Sequence, residues 1–165
     1  MTIFAFLIRY LNVELKKNVI LPLNGKNNNM PKLISLSEAA SIAIHSMVLI
    51  AKNDGKANVV LISDTMGFSK HHVAKVMQKL VKSGLLNSNR GPAGGFTITK
   101  PYQEITLLEI YETIEGKTIE SECFMDYHTC PFKECLMGNV VNDMTKVLLE
   151  YMSNKTLEYY MINGY

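Results

Sequence analysis

Cys123, Cys130 and Cys135 are the only cysteines in this 165-residue chain, and all three fall in one short stretch. Their spacing is Cys123-x6-Cys130-Pro131-Phe132-x2-Cys135, with Pro131 fixing one turn of the loop that carries them. Thiolates are soft ligands, and three brought together suit an iron–sulfur cluster or zinc. An odd number argues against a closed disulfide framework. In a reducing cytosol, clustered cysteines more often hold metal than each other. Without metal, the same sulfurs can still act through thiol redox chemistry. On the residues alone, cluster, zinc and metal-free thiols all stay open.

A second set of residues points to a polyanion. Residues 69–100, SKHHVAKVMQKLVKSGLLNSNRGPAGGFTITK, carry six Lys/Arg and two His and no Asp or Glu. Ser69, Lys70, His71, His72, Lys75 and Gln78 crowd the start of a predicted helix. There the helix dipole favours phosphate, and side chains of this kind reach base edges in a major groove. Lys70, Lys75, Lys79 and Lys82 are the phosphate candidates; Ser69, His71, His72 and Gln78 are the base-reading candidates. Arg90 then opens a thin turn with Gly91, Pro92, Gly94 and Gly95. Such a turn can lie close to a nucleic-acid backbone and present an arginine to the narrow minor groove. A lysine-rich helix face alone is usually just a solvated face, and a glycine-rich hairpin need have no partner. The absence of acid across helix and turn together is what favours DNA.

Charge is segregated along the chain rather than large overall. The formal net charge is only +2, yet residues 101–128 hold seven acids and one Lys. The basic surface therefore belongs to one lobe, and the acidic lobe is free to associate with a copy of itself.

The elements that must position these groups follow from periodicity and caps. A helix begins at Ser35 or Ser37, with Glu38 in its first turn for a capping box. Its buried face is predicted to be Ala40, Ala43, Ile44, Met47, Val48 and Ala51, and Asn53-Asp54-Gly55 stops it. A short apolar helix spans 59–66 and ends at Gly67. The basic helix follows, capped by Ser69 and closed by Gly84, with Val73, Val76, Met77, Leu80 and Val81 turned inward. Strands are expected at 85–88 and 96–99 around the glycine turn, which makes the turn a wing. An amphipathic helix covers 106–114. One long helix is expected from about 136 to 160, with an apolar seam of Val140, Met144, Val147, Leu148, Tyr151 and Met152. A seam of that kind needs a covering surface, and a second copy in a two-fold dimer is the simplest.

The chain therefore reads as α+β and mainly helical, a winged helix-turn-helix with a long C-terminal dimerisation helix. Residues 1–29 read as an N-terminal extension, through the polar run NGKNNN, with Met30 as the natural start; an amphipathic arm is the alternative. Residues 30–102 form the DNA-binding domain, and 103–165 the cysteine loop and dimerisation helix. No nucleophile elbow, phosphate loop or suitably spaced carboxylate pair is present, so an enzyme is not expected. No secretory leader is visible, no apolar run approaches a membrane span, and the expected compartment is the cytoplasm.

In combination, SEAASIAIHSMVLIA, the wing RGPAGGF after its basic helix, ITLLEIYETIEG, and a Cys…CPF…Cys loop resemble the Rrf-type bacterial regulators. These include the IscR, NsrR and CymR groups. The resemblance covers about residues 34–155. It implies a homodimeric winged-helix transcription factor, usually a repressor, on a palindromic double-stranded operator. In several branches of that family a [2Fe-2S] cluster sits in the loop before the dimer helix, which here maps to Cys123, Cys130 and Cys135. Some members take a fourth ligand three residues after the last Cys, which is Gly138 here. Others take it from the first helix of the partner subunit, where this chain has His45; His128 in the loop is a third candidate. The alternative is a winged-helix protein without a cluster, acting through a protein partner or thiol redox chemistry.

Overall fold

The computed structural model describes residues 36–54, 56–91, 94–118, 132, 134, 136–138 and 140–163, all within one unit, Ser35–Tyr165. The elements run α1 (Glu38–Lys52), β1 (Lys56–Ala57), α2 (Val59–Met66), α3 (Lys70–Lys82), β2 (Leu86–Asn89) and β3 (Gly95–Ile98). A 3-10 turn (Tyr102–Glu104), α4 (Leu107–Glu115), α5 (Val140–Ser153) and α6 (Leu157–Ile162) complete the order.

Short polar side chains start most of the helices. The Ser37 hydroxyl accepts from the Ala40 N–H at 3.0 Å, Asn58 Oδ1 from Leu61 N–H at 2.8 Å, and Ser69 Oγ from His72 N–H at 3.2 Å. Thr106 does the same for α4 and Thr156 for α6. Each satisfies an amide that the first helical turn leaves without a partner. The N-cap of α1 is thus Ser37. Glu38 sits directly after it, too early to close a capping box, and is engaged elsewhere.

α1 is more deeply embedded than a single stripe allows. Ile42 and Ile50 are fully buried alongside Ala40, Ala43, Met47 and Ala51, whereas Ile44 and Val48 are only half-buried. The helix is packed by α3, α4, α6 and the sheet at once, so its apolar arc widens. The three strands pair antiparallel in the order β1-β3-β2, with Phe96 opposite both Ala57 and Ser88. β1 was not anticipated: two residues carry no periodicity to read. A single core joins Ile42, Met47, Val73 and Leu80 to Ile105, Ile110 and Leu157.

The expected continuous helix over 136–160 is corrected. α5 ends at Ser153, and α6 restarts at Leu157 after a break at Asn154 and Lys155. The chain between them lies against the segment before α4. Leu107 N–H donates to the Lys155 carbonyl at 2.8 Å, and Leu157 N–H donates to the Ile105 carbonyl at 3.0 Å. Thr106 and Thr156 form an isolated antiparallel bridge there. Those backbone groups cannot also serve a continuous helix, and Leu157 gains a fully buried position instead. The apolar periodicity ran across the break because periodicity does not see backbone partners.

Candidate nucleic-acid interface

α3 stands on the core through Val73, Val76, Met77 and Leu80, all buried. Directly opposite, His71, Lys75, Gln78 and Lys82 recur at spacings of four, three and four and are all exposed. Ser69 and Lys70 are exposed at the start of the helix. Among the described residues, none of Lys70, Lys75 and Lys82 has an ion-pair partner. The helix therefore presents an exposed stripe of lysines without ion-pair partners, with the polar side chains of His71 and Gln78 set within it.

Two predicted contacts lie on a different edge. His72 Nδ1 is 3.1 Å from Glu38 Oε1 in the first turn of α1. Seven residues on, Lys79 Nζ reaches the Ile114 carbonyl at the end of α4 at 3.5 Å. Both face neighbouring helices rather than the outward stripe. No sequence signal could have found the Glu38 contact, which links residues 34 positions apart. Lys100, the last cation of the acid-free stretch, is bonded to Glu109 Oε1 at 2.7 Å. That hydrogen bond, with the carboxylate's charge, raises its pKa.

β2 and β3 form the wing. Arg90 and Gly91 are exposed where β2 ends, while Pro92 and Ala93 lie outside the described residues. Gly94 and Gly95 have a reason to be glycine within the protein itself. A Cβ on Gly94 would stand 2.5 Å from the Asn89 carbonyl oxygen, closing the hairpin neck to any side chain.

Cys123, Cys130 and Cys135, and with them His128, lie outside the described residues. His45 is exposed on α1, and its Nδ1 is 2.7 Å from the Ser41 carbonyl oxygen. A carbonyl only accepts, so Nδ1 donates to it, and Nε2 has no hydrogen-bond partner among the described residues. The ring borders an apolar cleft of about 450 Å³ lined by Ile44, Val48, Leu49, Met66 and Tyr160. On α5 the predicted seam splits. Met152 is buried in this chain's own core, while Val140, Val147, Leu148 and Tyr151 remain exposed.

Residues 36–162 match the Rrf2 family, described as iron-dependent transcriptional regulators. The chain belongs to the Rrf2 family. Among its Rrf2-like relatives, the IscR regulator of Klebsiella pneumoniae is 26% identical over 124 residues, 74% of this chain and 76% of that one. YwgB of Bacillus subtilis is 35% identical over 77 residues, 46% of this chain, and the match spans about half of YwgB, 49% of its length. The solved structure of CymR, the global cysteine regulator of B. subtilis, aligns with a TM-score of 0.63 at 22% identity. That alignment covers 77% of this chain and 95% of CymR. IscR of T. potens aligns with a TM-score of 0.60 at 19% identity, over 80% and 89% of the two chains. At those identities the likeness speaks for the fold, a winged helix. Family and relatives together make this chain an Rrf2-type DNA-binding transcriptional regulator and not an enzyme.

Proposed function

We propose that the protein is a cytoplasmic, homodimeric, sequence-specific repressor that binds a palindromic operator and responds through its cysteines. The exposed stripe His71-Lys75-Gln78-Lys82 carries this reading. Lys70, Lys75 and Lys82 neutralise phosphates, and His71 and Gln78 read base edges from the major groove, with Ser69 at the helix start. Arg90 enters the adjacent minor groove from the wing, where Gly91, Gly94 and Gly95 carry no side chain to obstruct a close approach. The exposed apolar face of α5 is the surface a second copy would cover, placing two recognition helices on successive half-sites.

Cys123, Cys130 and Cys135 supply three thiolates, a donor set that fits a [2Fe-2S] cluster and suits magnesium or calcium poorly. His45 suits a fourth position, since its Nδ1 is committed to the Ser41 carbonyl and its Nε2 is not. A bound cluster would supply a redox- and ligand-sensitive centre. The chain's own residues then do the rest, holding α5 and α3 in one arrangement when the cysteines carry a cluster and another when they do not. Zinc, or thiol chemistry without metal, is compatible with the same cysteines.

Two measurements test this. The first is anaerobic purification with a visible spectrum and iron and sulfide assays, which should give a red-brown protein that Cys123→Ala renders colourless. A colourless, iron-free wild type would sink the cluster. The second is DNA affinity as a function of salt. A steep fall in log affinity with log salt supports phosphate contacts, whereas a flat dependence favours a protein-binding module.

A further inference from the structure

One solvent-accessible flank of α3 is tied to two other helices by contacts that no DNA role requires. His72 takes Glu38, in the first turn of α1. Two helical turns further, Lys79 reaches the last carbonyls of α4 at Ile114. Those carbonyls carry the negative end of the α4 dipole, which suits an ammonium group. The two anchors are themselves joined, because the Ser37 hydroxyl donates to the Glu115 carboxylate. The first turn of α1, the last turn of α4 and this flank of α3 thus close on one another.

We propose that Glu38, His72 and Lys79 are positioning residues, which fix the roll of the recognition helix about its own axis, and that His72 and Lys79 do not contact DNA. This rests on the reading of α3 as the recognition helix. A roll of the helix would carry His71, Lys75, Gln78 and Lys82 sideways together, so base contacts would misalign while the charge offered to phosphates stayed the same. Glu38 is the informative member. It is an acid beside a basic face, so simple electrostatics has its removal strengthen DNA binding. As part of the clamp, its removal weakens specific binding instead. The clamp also ends at Glu115, directly before the chain turns at Gly116 toward the cysteines in sequence.

The experiment uses the full chain and two duplexes of equal length, one recovered by binding-site selection with the wild-type protein and one of random sequence. Affinity is measured across a salt series for Glu38→Ala, His72→Gln, Lys79→Met and, as a phosphate-contact control, Lys75→Met. The clamp predicts that Glu38→Ala and Lys79→Met each lose up to roughly fivefold on the selected duplex. They should lose little on the random one and keep the wild-type salt slope. Lys75→Met should weaken both duplexes and lower the slope by about one. Lys79→Arg, which keeps a donor at the end of α4, should restore the selected duplex. Tighter binding by Glu38→Ala, or a slope lowered by about one in Lys79→Met, overturns the proposal. Equal losses on both duplexes with a lowered melting temperature also overturn it, since that is what general destabilisation would do. If the wild type binds neither duplex in a salt-dependent way, the DNA-binding reading fails first, and that outcome is distinct from all the others.

Discussion

A Cβ placed on Gly95 would stand 2.7 Å from the carbonyl oxygen of Ala57, because β3 begins directly against β1. The neighbouring strand is backbone and cannot swing aside as a side chain would. Gly95→Ala should therefore separate β1 from the wing or bend the hairpin, at a cost of about 1–3 kcal/mol. Thermal unfolding reads the loss directly. Operator affinity should fall with it, since the same hairpin carries Arg90. A variant that melts like the wild type would show that the two strands do not approach as closely as this.

Much of the geometry of the candidate interface was legible in the sequence, for definite reasons. Ser69 and Gly67 bracket the turn between α2 and α3, and the buried residues of α3 repeat at helical spacing, so Lys70, His71, Lys75, Gln78, Lys79 and Lys82 follow from geometry as lying off the buried stripe, although Lys79 turns to the end of α4. The wing followed from its glycines, although their cause differs in part from a close DNA approach: Gly94 and Gly95 are needed by the hairpin and by β1. What could not be read were pairings between distant residues. Glu38 with His72, Lys79 with Ile114, and the Thr106–Thr156 bridge leave no periodic trace. The last of these is why the C-terminal helix was expected to run unbroken.

Leu157 reports on that break. It is fully buried, at the first position of α6, with its N–H on the Ile105 carbonyl. Leu157→Ala should cost about 2–5 kcal/mol, the range for emptying a buried leucine site. Ile162→Ala, on the same short helix but 74% exposed, should change stability little in the isolated subunit. Denaturant unfolding of the pair checks both. Equal effects would mean that α6 is not docked through Leu157.

The exit from α4 should be acid-sensitive. Lys117 Nζ donates to one Glu112 carboxylate oxygen, and the Thr118 backbone N–H donates to the other. The Lys117 hydrogen bond, followed by the Thr118 amide, holds the Glu112 pKa below its ordinary value. A depressed folded-state pKa gives stabilisation that is present above the unfolded value of about 4.3 and is lost as pH falls through the folded value. Stability measured from neutral pH downward should therefore decline less steeply below about pH 4 in Glu112→Gln than in the wild type. The effect is small, because Lys117 is largely in water. A wild type and variant with superimposable acid limbs would remove Glu112 as its source.

Val147 and Tyr151 lie one turn apart on α5 and are 64% and 50% exposed, too apolar a pair to face water on a folded regulator. A second copy of α5 crossing this face would cover them along with Val140 and Leu148. Charges introduced there would then be buried without partners, whereas on a monomer they would cost almost nothing. Val147→Glu with Tyr151→Glu should convert a dimer to monomer by sedimentation or light scattering, with the melting curve of the winged domain retained in outline. Operator affinity should collapse far more than affinity for a single half-site, since only the paired arrangement places two α3 helices on one palindrome. If the doubly charged variant sediments like the wild type, the dimer is formed by some other surface and the exposed seam has a different occupant.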